Sequence, residues 1–420
     1  MALAEFSVQD LRCIERAELA LQPGSNLIFG PNGAGKTSLL EAIFLLGRGR
    51  SFRTRLTERL IRHGQSQLRV IGRTGSALPL AASPGSAGRR PAVGGQGRPE
   101  SLPAGLEGQG AAHAGALQGV VDGDLAPSGV AAPLGVPPVL PQQRWLPHAL
   151  GLEVTRDGGT RARLDAQNVR SLADLATAFP VQVLDPDAHR LIEDSATRRR
   201  RWLDWAVFHV EPGFAVTWAR YSRALQQRNA VLRSGHGDLG IWDVELVKDG
   251  DRITEARRRV LTALQPYWAE VSRGFLDEDL SLSFQAGWDR ETSLATALAD
   301  AVPRDRLRKT TTVGPHRADV AMRIRGKPVR EVLSRGQQKL AAVAMTLCQL
   351  EYLKQEHEVL PTLLLDDPSA ELDRTRLDRF IGRVKALQTQ LIVTALDRDF
   401  SLFGMPDAVF HVEQGKVLKG

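Results

Sequence analysis

At 420 residues, 42% hydrophobic and 25% charged, the chain has the composition of a soluble globular protein long enough for two or three domains. Its formal net charge of +7 suits a polyanionic partner without establishing one. Two cysteines, Cys13 and Cys348, each within an apolar run, are too few for a disulfide framework or a metal site and point to a reducing compartment.

Met1 to Phe6 carries Glu5 too early for a signal peptide, and no run of 18 apolar residues follows, so a cytoplasmic protein without membrane contact is expected. Strands are predicted over Leu3–Val8, Ile14–Leu21 and, after a Pro23-Gly24 turn, Asn26–Phe29. Lys36 to Leu46 then reads as a helix with a wide apolar stripe, stopped by Gly47 and Gly49. Residues 75–149 are mostly Gly, Ala, Pro, Ser and Leu, with no Phe, Tyr or Ile. Such a stretch buries too little to offset its ordering entropy, about 1–2 kcal/mol per residue. It is expected to be either a disordered insertion or a frame artefact standing where strands belong. Order resumes at Leu152–Thr155, and Asp157-Gly158-Gly159 signals a hairpin into Arg161–Leu164.

From Ser195, a candidate N-cap, the pattern turns helical, with Trp202, Leu203, Trp205, Ala206 and Phe208 on the buried side. Helices continue through Tyr221–Leu232 and Ile253–Val271, broken at Ser234–Gly240, without sustained heptads. After a strand at Leu280–Phe284 and a helix near Thr292–Ala301, helix and strand alternate: Gln337–Leu353, Thr362–Leu365, Arg374–Leu387, Gln390–Thr394, Ala408–Val412.

Between the third strand and the first helix stands Gly30-Pro31-Asn32-Gly33-Ala34-Gly35-Lys36-Thr37-Ser38, a complete Walker A sequence. Its backbone N–H groups and helix N-terminus would cradle the β and γ phosphates of ATP, Lys36 adds a point charge, and Thr37 offers a hydroxyl to Mg²⁺. Leu363-Leu364-Leu365-Asp366-Asp367 is an apolar strand ending in two carboxylates, as in a Walker B: Asp366 for Mg²⁺, Asp367 as general base. Two aspartates at a strand end could merely open a loop, but the upstream Walker A favours the catalytic reading. Ser334, Arg335, Gly336 and Gln337 combine a Ser cap, a Gly permitting close backbone approach and a helix N-terminus, which is an anion site or simply a cap.

Leu333-Ser334-Arg335-Gly336-Gln337-Gln338 resembles the signature of the ATP-binding-cassette superfamily, which binds the γ-phosphate of ATP held by the opposite subunit. The resemblance implies ATP sandwiched between two copies. Pro368 to Asp373 resembles the D-loop that crosses the dimer interface, with Ala370 where Ser is usual and Asp373 retained. After Leu391-Ile392-Val393, where transporters carry a switch histidine, this chain has Thr394-Ala395.

Leu184-Asp185-Pro186-Asp187-Ala188-His189, Ser195 to Asp204, and Gly314-Pro315-His316-Arg317-Ala318-Asp319 narrow the match. With Leu40-Glu41-Ala42-Ile43, Arg50-Ser51-Phe52-Arg53-Thr54 and Ala224 to Asn229, they resemble the bacterial RecF family of recombination mediators over nearly everything except residues 75–149. The resemblance implies an α/β, ABC-type P-loop ATPase head, SMC-like without a coiled coil, with an inserted mostly helical lobe. It also implies an ATP-dependent homodimer, slow ATP hydrolysis, DNA binding with little sequence preference, a part in repair and replication, and work with RecO and RecR to load recombinase at gaps. The expected parts are residues 1–74 and 150–194 for the first ATPase lobe, 195–309 for the helical lobe and 310–420 for the signature and Walker B.

Three further assignments stay open. Arg53 is a nucleotide-proximal candidate by resemblance, and Gln182 a candidate for the glutamine that senses Mg²⁺ in cassette ATPases. The run Arg198–Arg201 opposes its helix dipole, so these cations either pair with Glu193, Asp194 and Asp204 or take a direct DNA or interface role, with Arg198 and Arg199 the DNA-contact candidates. Arg304, Arg306, Arg308 and Lys309 form a second basic cluster, either a solvated face or a DNA contact. The alternative function is the ATP-binding subunit of a transporter; a defence or nuclease ATPase would need a further acidic metal-binding domain.

Overall fold

The computed structural model describes residues 2–54, 56–75, 147–169, 171–276, 278–368, 374–398 and 404–419. The expectation of disorder for residues 75–149 therefore lies almost wholly outside the described residues, as do Ala370 and Asp373.

The first sheet is antiparallel and built from β1 (Ala2–Leu11), β2 (Ile14–Ala20), β4 (Gln67–Gly75), β5 (Ala149–Thr155), β6 (Thr160–Leu164) and β7 (Gln167–Asn168), in the order β2-β1-β4-β5-β6-β7. Buried and exposed residues alternate along β4, because this sheet packs on one face only. β4 and β5 pair directly, from Gln67 opposite Thr155 to Arg73 opposite Ala149. The pairing continues to the edge of the described residues, where the Thr74 amide donates to the His148 carbonyl at 2.8 Å. β4 and β5 are thus direct neighbours in the sheet on either side of the undescribed interval. β5 begins at Ala149 rather than Leu152.

The second sheet comprises β3 (Ser25–Phe29), β8 (Val181–Leu184), β12 (Thr362–Asp366), β13 (Leu391–Ala395), β14 (Ala408–Glu413) and β15 (Lys416–Lys419), in the order β15-β14-β3-β13-β12-β8. All pairings are parallel except the edge pair β14–β15. β12 is buried throughout, as expected for a strand covered on both faces. Helix α1 (Lys36–Arg48) touches strands of both sheets and is buried nearly all round. Gly47 lies inside it rather than ending it: a Cβ there would sit 2.6 Å from the Phe179 carbonyl oxygen, so a bare backbone is needed for packing. Gly49, left-handed at φ +63°, makes the stop.

At the strand end remote from the glycine loop, Gln390 stitches the sheets together. Its amide donates to the Leu3 and Gln22 carbonyls, both at 2.8 Å, and its carbonyl accepts from the Leu3 amide and the Thr362 hydroxyl, both at 2.9 Å.

The helical lobe is entered through α2 (Leu172–Ala178), β8 and the short α3 (Arg190–Glu193). It contains α4 (Ala196–Val210), α5 (Phe214–Ser234), the 37-residue α6 (Leu239–Phe275) and α7 (Leu294–Arg308). A three-stranded sheet of β9 (Leu280–Gln285), β10 (Asp319–Ile324) and β11 (Lys327–Pro328) joins them. β9 pairs with β10 from Leu280 opposite Ile324 to Gln285 opposite Asp319, so the expected boundary at 309/310 falls inside one unit. After α8 (Val329–Val332), α9 (Arg335–His357) packs along α6, and α10 (Arg374–Leu387) packs against α9 and α6.

The motifs that carried the resemblance meet in the lobe's interior as a buried polar framework. Arg257 forks onto Asp204 at 2.6 and 2.8 Å and donates to the Pro315 carbonyl at 2.7 Å. Arg228 reaches Asp305 at 2.6 Å and Thr311 at 3.0 Å, while Asn229 accepts from the Thr311 amide at 2.8 Å. His316 lies 2.8 Å from the Tyr221 hydroxyl and 3.1 Å from the Thr311 carbonyl. Burial holds that imidazole down to about 3, with Arg317, Arg200 and Arg228 adding in the same sense.

Candidate nucleotide-binding site

The glycine loop joins β3 to α1 at the carboxyl end of the parallel sheet, where open α/β sheets place their ligands. Gly30 is required by close approach: a Cβ would stand 2.1 Å from the Val412 carbonyl oxygen. Gly35 occupies the helix N-cap at φ +113°. No side chain caps that N-terminus and its first turn has no acidic residue, so its amides present a positive end to an anion. Lys36 folds back onto the Gly30 and Pro31 carbonyls at 2.6 and 3.0 Å. Burial holds its ammonium below the usual lysine range, against the opposing charges of Asp367 and Asp366.

The Thr37 hydroxyl lies 3.0 Å from both carboxylate oxygens of Asp366, so Walker A and Walker B meet within one chain. A hydroxyl and a carboxylate are hard oxygen donors that suit Mg²⁺, with phosphate oxygens and water completing the shell. Among the described residues no group of three His, Cys, Asp or Glu side chains could hold a metal by itself. Asp367 follows at the strand end with φ +48°, a left-handed conformation that costs an aspartate about 1 kcal/mol or more. Its amide donates to the Thr394 hydroxyl at 3.0 Å, and that hydroxyl lies 2.7 Å from Asp366 Oδ1.

The residue types sought in the sequence missed two groups here. Thr394 was visible only as the place of an absent histidine. Asp185 directly follows β8 and lines an open cleft together with Asp366, Lys339, Val343, Pro368 and Phe380. Burial, then the charge of Asp187, pushes its carboxyl up to about 6, with Arg198 opposing. Gln182, three residues earlier on β8, lies with its amide 3.4 Å from Gln349 Oε1 on α9, so it serves the lobe contact and not the cavity.

The signature stands at the N-terminus of α9. Ser334 and Gln337 close a reciprocal capping box: the Ser334 hydroxyl accepts from the Gln337 amide at 3.4 Å, and Gln337 Oε1 accepts from the Ser334 amide at 3.0 Å. Ser334, Arg335 and Gly336 are exposed, and a Cβ on Gly336 would meet open space. Arg335, 77% exposed, lies 3.7 Å from Glu193.

Three other candidates resolve differently. Arg53 is half-exposed and 3.9 Å from the buried Glu41 of α1, which Arg12 and Ser51 also contact. Arg198 pairs with Asp194, as expected, but Arg199 forks onto Asp319 at 2.8 and 3.0 Å and donates to the Asp194 carbonyl at 2.8 Å. Asp204 belongs to Arg257 rather than to the arginine run. Arg304 donates to the Thr312 hydroxyl at 2.8 Å, whereas Arg306, Arg308 and Lys309 stand exposed around the end of α7. Cys13 sits in the exposed β1–β2 turn, not within a strand, and Cys348 is buried in α9.

The family model for the RecF/RecN/SMC N-terminal domain matches residues 2–73 and 145–417. The DNA replication and repair protein RecF of Pectobacterium atrosepticum is 35% identical over 99% of this chain and 98% of its own length. That of Pseudomonas syringae pv. syringae is 34% identical over the same shares. Among solved structures, the recombination mediator protein RecF with ATP in the RecFOR pathway covers 100% of this chain and 97% of its own at a TM-score of 0.76 and 23% identity. An Smc head bound to the C-terminal winged-helix domain of ScpA follows at 0.52 and 14%, covering 100% and 98%. The architecture is accordingly that of the RecF and SMC head ATPases, and a transporter subunit is not favoured. Walker motifs joined through Thr37 and Asp366, a helical lobe built on the shared motifs, and relatives matched end to end place this chain in the RecF family of DNA replication and repair proteins.

Proposed function

We propose that this chain is an ATP-switched dimeric DNA clamp with slow ATPase activity, working in the cytoplasm with RecO- and RecR-type partners to load recombinase at single-strand gaps. The observation that carries the reading is a division of labour. Thr37 and Asp366 complete a phosphate and metal site within one chain, while Ser334 and Gly336 stand exposed at a helix N-terminus. ATP seated on the first in one copy and contacted by the second in another favours the closed dimer through differential affinity.

With nucleotide bound, Lys36 would exchange the loop carbonyls for the β and γ phosphates, and Thr37 and Asp366 would hold Mg²⁺, which would supply charge to offset the phosphates. Asp367 orients and deprotonates the attacking water. Ala370 and Asp373 would cross the dimer interface, and Arg53 would reach the nucleotide from the Glu41 cluster. Hydrolysis removes the γ-phosphate contact and opens the dimer. DNA would be held by phosphate contacts from Arg304, Arg306, Arg308 and Lys309, with slight sequence preference and strong salt dependence.

Co-sedimentation with duplex DNA tests this. Binding at low salt with ATP and Mg²⁺, lost without ATP, is expected; absence of binding under those conditions refutes the clamp.

A further inference from the structure

Thr394 stands on β13, the strand beside β12, and is 0% exposed. Its hydroxyl has one proton to donate and lone pairs to accept with. An ionised carboxylate can only accept, so the proton goes to Asp366 Oδ1 at 2.7 Å, and a lone pair takes the Asp367 amide proton at 3.0 Å. The Leu365 carbonyl, 3.5 Å away, is too distant to compete. Thr37 approaches the same carboxylate from the glycine loop at 3.0 Å to each oxygen. Asp366 is therefore clamped between two hydroxyls, and the amide bond to Asp367 is the only one of these contacts that reaches the left-handed residue.

Building on the ATP-site reading above, we propose that Thr394 is a positioning residue for ATP hydrolysis. Through one buried hydroxyl it orients the Asp366 carboxylate that would hold Mg²⁺, and it holds the backbone of Asp367 in its left-handed conformation. It touches neither nucleotide nor water itself. Groups that orient a metal-binding carboxylate typically alter metal affinity or activity by about 10- to 100-fold when removed.

The test compares Thr394→Val, which keeps shape and removes the hydroxyl, with Thr394→Ser, which keeps the hydroxyl and removes the methyl group. Mg²⁺ is titrated against binding of a fluorescent ATP analogue, and kcat and KM for ATP are measured at saturating Mg²⁺. Thr394→Val is expected to need about tenfold more Mg²⁺ for half-maximal binding and to lose about tenfold or more in kcat, with KM within about threefold. Thr394→Ser should stay within about threefold of the parent throughout. A valine variant equal to the parent overturns the proposal, as does a serine variant impaired as much as valine, since packing would then explain the site. Should the valine variant not fold, Thr394→Ala against Thr394→Ser decides in the same way, because only the latter retains the hydroxyl. A parent protein with no Mg²⁺-dependent ATP binding would instead overturn the underlying ATP-site reading.

Discussion

Arg199 separates a structural from a nucleic-acid role for the arginine run, and its replacement by glutamine has a calculable effect. One guanidinium forks onto Asp319 at the start of β10 and reaches the Asp194 carbonyl just past α3, so a single side chain pins two connections of the helical lobe. The arginine side chain is 13% exposed and the aspartate 22%. Hydrogen bonds to charged groups are worth about 1.5–3 kcal/mol net, and partial solvent access places this fork in the lower half of that range. Loss of the carbonyl contact adds about 1 kcal/mol, so Arg199→Gln should cost about 2–3 kcal/mol. Lysine, lacking the planar fork, should recover less than half. Urea unfolding followed by tryptophan fluorescence reads the loss, and a double-mutant cycle with Asp319→Asn should return a coupling of about 1–2 kcal/mol. DNA affinity of the folded variant at low salt should stay within about twofold, since no phosphate contact is removed. An unchanged urea midpoint together with lost DNA binding would refute the argument and return Arg199 to the DNA.

Lys36→Met should abolish ATP binding and, with it, ATP-dependent dimerisation and DNA binding, whereas Asp367→Asn should bind ATP, lose about 100-fold or more in hydrolysis and give a longer-lived dimer; equal loss of ATP binding in both refutes the assigned roles. Ser334→Arg should bind ATP as a monomer and fail to dimerise in light scattering, and normal dimerisation would show that the exposed cap does not act between chains. His316 gives acid lability: its folded value near 3 lies below the ordinary 6.5, so between those values the unfolded chain binds the extra proton. Stability should therefore fall as pH drops below about 6.5, by up to about 1.4 kcal/mol per pH unit from this group. His316→Gln should flatten that slope in urea titrations between pH 6 and 4; an unaltered slope would show that another group sets it.

The nucleotide loop and its flanking strand and helix were legible because their determinants are local: glycines forced by backbone approach, an apolar strand before and an apolar helix after. Asp194 pairing with Arg198 was legible for the same reason, at four residues' separation. The partner of Arg199 was not, because Asp319 is 120 residues away and reaches it only when β10 packs against α4. The β9–β10 pairing, which erased the expected 309/310 boundary, is nonlocal in the same sense. Gln182 was singled out by residue type, whereas Asp185, which directly follows β8 and lines the cavity with Asp366, drew no attention because only the β8–β12 pairing brings the two strand ends together. Comparison with a histidine-bearing pattern turned attention to what position 394 lacks, and away from its hydroxyl.

Gln390 has a mechanical consequence. Its four hydrogen bonds tie β1 and the start of β12 to the base of β13, at the pole opposite Gly30. Relative motion of the two sheets must either break those bonds or turn about them, and turning produces displacement that grows with distance from the pivot. The lever arm is longest at the strand tips Phe29, Asp366 and Ala395, so a small rotation that leaves the base intact would shift the first sheet most against the end that carries the glycine loop and the paired aspartates, whose own spacing is fixed within the second sheet.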